Sequence, residues 1–165
     1  MADLKLAFGS LTAFTITNAN LANSATAGWA SNAIDNSSNK YLDALVSIEL
    51  AAVNTAPANS QAIFLFAYGL VHGTANYTGT GSANPSGSEG TLTFPDITSK
   101  NIVMPALGII PYPTQNTILR GGPFSVAARL GGKLPSKWGV AMLNHSGMTL
   151  NVTAINYQEV YNTVA

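Results

Sequence analysis

Apolar and polar residues alternate along residues 41–53 of the chain. One set of alternate positions, from Leu42 to Ala52, is apolar throughout, whereas the other set includes Asp43, Ser47 and Glu49. Successive side chains of a strand point to opposite faces of its sheet, so this pattern predicts a strand with one buried and one solvated face. A helix is the alternative interpretation, because several of the apolar residues also recur at helical spacing.

Other segments show related strand patterns. Residues 62–71 are apolar at both parities, which predicts a strand buried on both faces at the centre of a sandwich. Further strands are predicted at residues 13–17, 91–94, 102–104, 116–120, 124–130, 138–143 and 149–161. Turn-forming residues such as Gly121-Gly122-Pro123 and Ser146-Gly147 separate them. We therefore predict an all-β fold, an antiparallel eight-stranded jelly-roll sandwich with little or no helix.

The last two predicted strands flank a short turn. Residues 137–144 lead into His145-Ser146-Gly147, and residues 149–157 follow directly. Two strands joined by so short a turn are typical of a β-hairpin, so we expect them to pair with each other.

The length of 165 residues fits one domain with a substantial core. We predict a single jelly-roll domain over residues 1–165, with a short N-terminal arm at about residues 1–11. Residues 79–90, GTGSANPSGSEG, are rich in turn-forming residues and predict a flexible loop. A linker there is less favourable, because it would leave two halves of about 80 residues, each marginal for an all-β core.

Composition narrows the possible partners. Charged residues make up 8% of the chain, with seven bases and seven acids, and 46 Ser, Thr and Asn residues provide most of the polar surface. Because few side chains are charged and the bases and acids cancel, copies of the protein repel each other little, which predicts self-association. Seven Lys and Arg residues are too few to favour binding to nucleic acid. The most apolar run, residues 62–71, is too short to span a membrane as a helix. The absence of cysteine excludes disulfides, thiolate catalysis and Cys-ligated zinc.

Residues suited to catalysis are few. His72 and His145 are the only histidines, and no Gly-x-Ser-x-Gly or metal-ligand spacing occurs. Gly131-Gly132-Lys133 lacks the remaining residues of a phosphate-binding loop and predicts a turn. Four Asn-x-Ser/Thr triplets are expected by chance in this composition. We predict no enzyme activity, no cofactor and no metal site.

Charge is uneven along the chain. Residues 1–96 carry six acids and two bases, whereas residues 97–165 carry five bases and one acid. This asymmetry predicts a basic surface that contacts a partner. Its candidate contact residues are Arg120, Arg129, Lys133 and Lys137. Alternatively, antiparallel pairing interleaves the two halves and removes the asymmetry.

Five aromatic residues have two possible roles. They form either a surface for stacking sugars or binding a partner, or part of the core, where most aromatic residues on strands are found. These residues are Trp29, Tyr41, Tyr112, Tyr157 and Tyr161.

Residues 134–164 resemble the C-terminal ends of small virion proteins of tailed bacteriophages. The shared layout is a strand with an early Trp, an Asn-x-Ser/Thr-Gly turn, and a strand ending in Tyr-Gln-x-Val-Tyr. Here it reads Lys137-Trp138-Gly139-Val140, Asn144-His145-Ser146-Gly147 and Tyr157-Gln158-Glu159-Val160-Tyr161. Glu159 departs from the family, in which a glycine commonly follows the Tyr-Gln pair.

The resemblance implies a capsid decoration (cement) protein with a jelly-roll core. Such a protein binds the major capsid protein on the outer capsid surface of the virion, often as a homotrimer, and stabilises the shell by bridging capsomers. We expect its contacts in residues 1–11, 79–90 and 129–137, because loops carry most binding functions. The alternative is a carbohydrate-binding jelly-roll adhesin or fibre component, for which the ligand would be a glycan.

Overall fold

The computed structural model describes residues 3–17, 20–52, 62–79, 84–95, 104–111 and 114–164. Within these ranges the chain forms thirteen strands and no helix. The strands are β1 (Leu4–Phe8), β2 (Thr12–Ala13), β3 (Asn20–Leu21), β4 (Ala27–Ala30), β5 (Ile34–Asp35), β6 (Asp43–Ala52), β7 (Ala62–His72), β8 (Asn76–Tyr77), β9 (Gly90–Thr93), β10 (Ala106–Pro111), β11 (Ile118–Ser125), β12 (Lys137–His145) and β13 (Leu150–Val164).

The strands form two antiparallel sheets. In the first sheet the order is β1-β13-β6-β11, and β2 and β3 also pair with β13. In the second sheet the order is β10-β7-β12-β4-β9, with β5 on β12 and β8 on β7. The prediction of an all-β antiparallel fold with two sheets, as in a sandwich, is confirmed. The helical alternative for residues 41–53 is wrong, since β6 occupies residues 43–52 of that segment.

Residues 4–17 and 20–21, which together we call the N-terminal edge segment, follow β13 along one side. Leu4 to Phe8 pair with Val164 to Val160, Thr12 pairs with Tyr157, and Leu21 pairs with Leu150. The three short strands β1, β2 and β3 are therefore one interrupted edge strand. Part of the predicted N-terminal arm, at residues 4–8, is the first of these strands.

The main core lies between the two sheets. Along β6 every second residue is buried, as its alternation predicts, and these side chains face those of β7 and β12. An aromatic cluster of Phe14, Trp138 and Tyr157 joins the N-terminal edge segment to both sheets. Its ring centroids lie 5.0–5.8 Å apart, and Trp138 meets both other rings edge to face.

A second apolar cluster covers the outer face of the second sheet. Phe66 and Tyr68 on β7 pack there against Tyr77 on β8 and Phe94, which directly follows β9. Because this cluster covers the outer face of β7 and the main core covers its inner face, the side chains of β7 are apolar on both faces. Tyr68 also pairs with Gly139 on β12, and its ring occupies the space that a side chain at Gly139 would need.

The predicted hairpin of the last two strands is wrong. β12 belongs to the second sheet and β13 to the first, so residues 146–149 form an arch between sheets. Alternation reveals which residues of a strand are buried, but not which sheet the strand joins. Here the partners of β12 are β7, β4 and β5, and the partners of β13 are β6 and the N-terminal edge segment.

Three further boundaries differ from the prediction. Gly121-Gly122-Pro123 lies within β11 as a bulge instead of a turn, which an edge strand tolerates. Residues 126–130 form a turn, in which the Val126 carbonyl accepts hydrogen bonds from the N–H groups of Arg129 and Leu130. Residues 14–17 are not in a strand. Of the strand predicted at 102–104, residues 102 and 103 lie outside the described ranges.

Candidate functional site

The four basic residues predicted to contact a partner do not form one cluster. Arg120, on β11, donates from Nε to the Glu49 carboxylate at 2.7 Å, on the outer face of the first sheet. Arg129 and Lys133 are exposed in the turns after β11, and Lys137 begins β12. The structure therefore places Arg129 and Lys133 between β11 and β12 and Lys137 at the start of β12, and it leaves Arg120 apart.

Two of these bases lie against acids from the other half of the chain. Besides the Arg120–Glu49 pair, Lys137 is the strand partner of Asp35. The pKa of Asp35 lies below its usual value, because Ser37 hydrogen-bonds to the carboxylate through its side chain and its backbone N–H, and Lys137 adds a positive charge nearby. At these positions antiparallel pairing interleaves the two halves, as the alternative interpretation proposed.

A groove of about 680 Å³ opens beside this segment. One wall is the turn at residues 36–42, and the other is the turn at residues 132–136. We call this feature the basic groove, because Lys40 and Lys133 both line it. Tyr41, Leu42 and Leu134 provide apolar lining.

Asn36 fixes the two walls of the basic groove against each other. Its side chain is buried; Nδ2 donates to the Tyr41 carbonyl at 3.2 Å and to the Pro135 carbonyl at 3.4 Å, while Oδ1 accepts from the Tyr41 N–H at 2.8 Å. The Asn36 N–H donates to the Ser136 carbonyl at 2.7 Å. Tyr41 also packs against Tyr161, with ring centroids 5.8 Å apart. These hydrogen bonds hold the two walls of the groove in position.

Lys40 is a groove residue that the sequence analysis missed. It stands outside the basic run after residue 97, so the charge asymmetry gave no reason to select it. Its φ of 53° lies in the left-handed region, and its N–H closes the turn on the Asn36 carbonyl at 3.0 Å. The preceding Asn-Ser-Ser-Asn run does predict a turn, which is the signal that places Lys40 at the surface.

A second exposed feature is a row of apolar side chains on the first sheet. The fractional exposures are 67% for Leu4, 59% for Leu6, 52% for Phe8 and 68% for Val164. Leu4 is the strand partner of Val164, and these residues share one face of the sheet. This face is turned away from the core. Phe8 pairs with Val160, and Val160 in turn pairs with a residue of β6 that is not one of the alternate residues buried in the core. We call these four residues the apolar row.

The aromatic residues divide between core and surface. Trp29 and Tyr157 are buried in the main core, so for them the core interpretation is confirmed. Tyr41 and Tyr161 are half-buried and pack against each other beside the basic groove. Tyr112 lies outside the described residues.

The histidines lie too far apart to act together. His72 ends β7, whereas His145 pairs with Ala62 at the start of β7, about 30 Å away along the strand. Within the described ranges no group of three or more His, Cys, Asp or Glu side chains is arranged to hold a metal ion. The same ranges contain no helix long and apolar enough to cross a membrane.

The residues that carry the phage resemblance are mainly structural. Trp138 and Tyr157 belong to the aromatic cluster, and Asn144 and Ser146 are buried in the arch between the sheets. Asn144 Nδ2 donates to the carbonyls of Leu21 and Met148, and its Oδ1 accepts from the Ser146 N–H and hydroxyl. These groups are not available to contact a partner.

Compared with known proteins, the chain matches no protein-family model, no curated protein and no solved structure.

Proposed function

We propose that the chain is a non-enzymatic structural protein of a bacteriophage virion. In this proposal it is a capsid decoration protein that binds the outer capsid surface as an oligomer, a homotrimer in the simplest case, and bridges neighbouring subunits of the major capsid protein. The apolar row carries the proposal, because it combines a large exposed apolar surface with an unpaired sheet edge. Exposed apolar patches on soluble domains mark association sites.

We further propose that eight strands form a jelly roll, counting the N-terminal edge segment as the first. The other seven, in chain order, are β4, β6, β7, β10, β11, β12 and β13. The first then pairs with the eighth, the second with the seventh, the third with the sixth, and the fourth with the fifth. A folded antiparallel ribbon of eight strands has this pairing, and jelly rolls are common in viral capsid proteins.

Weak contacts repeated on a symmetric lattice account for how such a protein would act. The surface carries few charges, so copies repel each other little. An oligomer that places the same contact on several capsid subunits gains affinity through effective concentration. Each bridge then opposes separation of the subunits, because the bound form stabilises the assembled shell.

The number of copies of this polypeptide in each purified virus particle tests the proposal. Quantitative mass spectrometry, with the major capsid protein as internal standard, should give hundreds of copies. A few copies per particle, together with binding on a glycan array, would favour the adhesin alternative. Absence from purified particles would contradict a virion role altogether.

A further inference from the structure

We propose that the basic groove binds an acidic peptide segment of a protein partner, in which a carboxylate lies next to an apolar side chain. The inference rests on the groove itself and applies to a partner inside or outside a virion. It therefore does not depend on the function proposed above.

The two lysines of the groove are not held in ion pairs within the described part of the chain. Lys40 and Lys133 are exposed, and neither forms an ion pair with a described residue. The two nearest acids in sequence to Lys40 are already engaged. Asp35 is held by Ser37 and lies opposite Lys137, and Asp43 accepts hydrogen bonds from the Ser125 hydroxyl and the Ala127 N–H. A carboxylate is the complementary group for two unpaired ammonium groups.

The apolar lining provides the second half of the site. Leu42 is 46% exposed, Tyr41 is half-buried and Leu134 lies at the boundary of the core. An apolar side chain placed against these three would remove their remaining surface from water, as the anchor residues of peptide ligands do. The groove volume of about 680 Å³ accommodates a few residues.

The hydrogen-bonding groups favour a peptide over a sugar. A sugar needs several directional hydrogen bonds, yet the Asn36 amide uses both of its N–H groups and one acceptor position of Oδ1 between the two walls. Ser37 is committed to Asp35. Cations beside apolar surface match an acidic and apolar peptide better than they match a ring of hydroxyl groups.

The backbone at Lys40 agrees with a binding role. Glycine adopts positive φ freely, whereas a residue with a Cβ is strained there. A lysine in that conformation places a charge in the groove despite an unfavourable backbone, and local strain of this kind concentrates at binding sites.

A peptide library tests the proposal on the whole protein. The probe is an acetylated hexapeptide library with Asp or Glu fixed at one position and the other positions randomised, and the selected peptides are titrated by fluorescence polarisation. We expect enrichment of an apolar residue next to the acid. Affinity should fall at least fivefold when the acid is replaced by its amide, and fall again as salt rises from about 0.05 to about 0.5 M.

Matched variants localise the binding. Lys40→Gln with Lys133→Gln should weaken the selected peptide by about fivefold to tenfold, since each exposed charge contact contributes modestly. Lys5→Gln with Arg120→Gln removes the same charge outside the groove and should change affinity less than twofold. Unchanged thermal midpoints will show that both variants are folded.

Three results would overturn the proposal. The first is a library with no enrichment, or with binders that lack the acid. The second is an equal loss of affinity in the groove variant and in its control. The third is binding of an acidic oligosaccharide, with chemical-shift changes at residues 40–42 and 132–134, where no peptide binds; this would make the groove a glycan site.

Discussion

Replacing Asn144 by alanine should destabilise the protein by about 3 kcal/mol. Asn144 is fully buried, and its amide makes four hydrogen bonds in the arch between β12 and β13. Without the amide, the Leu21 carbonyl loses this donor and the Ser146 N–H loses its acceptor, whereas the Met148 carbonyl keeps the Ser146 hydroxyl at 3.3 Å. Two buried groups left without these partners cost about 1–3 kcal/mol each, and the lost side-chain packing adds to this.

Urea unfolding followed by tryptophan fluorescence measures the effect, because Trp29 and Trp138 are both buried. The matched control is Asn151→Ala, an exposed position on β13 outside the apolar row that should change the free energy of unfolding by less than about 0.5 kcal/mol. Ser146→Ala in the same background should be non-additive with Asn144→Ala, since the two side chains share one network. A loss below about 1 kcal/mol for Asn144→Ala would refute the idea that this network holds the arch.

Three further predictions concern association, pH and the strained turn. Leu6→Thr with Phe8→Thr should reduce the molar mass measured by light scattering, whereas Ile109→Thr, of similar exposure on the second sheet, should not; a variant that keeps its mass would remove the apolar row as an association site. Burial raises the pKa of Tyr68, so the folded state keeps a proton that the unfolded state loses above about pH 10. The free energy of unfolding should then fall by up to about 1.4 kcal/mol for each unit by which the pH rises above about 10. Urea midpoints measured from pH 8 to about pH 11.5 should decline less steeply for Tyr68→Phe than for the unsubstituted protein. Lys40→Gly should raise stability by about 0.5–1 kcal/mol in thermal unfolding while weakening acidic-peptide binding; lower stability would contradict strain at that residue.

Short-range patterns along the chain predicted the strands well where burial follows a regular period. The alternation of residues 41–53 predicted β6, and the continuous apolar run at 62–71 predicted β7, because each pattern reflects which faces are covered. The turn at Gly131-Gly132 was also predicted correctly, and both glycines have positive φ.

The assignment of strands to sheets could not be predicted from such short-range patterns. The short turn at residues 145–147 indicated a hairpin, yet the strands on either side join different sheets. Each strand joins the sheet of its pairing partner, β7 for β12 and β6 for β13, and these partners lie about 70–120 residues away in sequence, which no local pattern encodes. The basic groove was missed for the same reason, because Asn36 and Pro135 bring together two turns that are distant along the chain.

The pairing of the N-terminal edge segment with β13 has a consequence for synthesis of the chain. The N-terminal edge segment leaves the ribosome well before its partners at residues 150–164, which are made about 130–160 residues later. Until then the apolar side chains of β1 and Phe14 have no sheet to join, and the first sheet cannot close. Contacts this distant in sequence slow folding. The nascent chain therefore depends on synthesis of β13 before β1 is protected from aggregation.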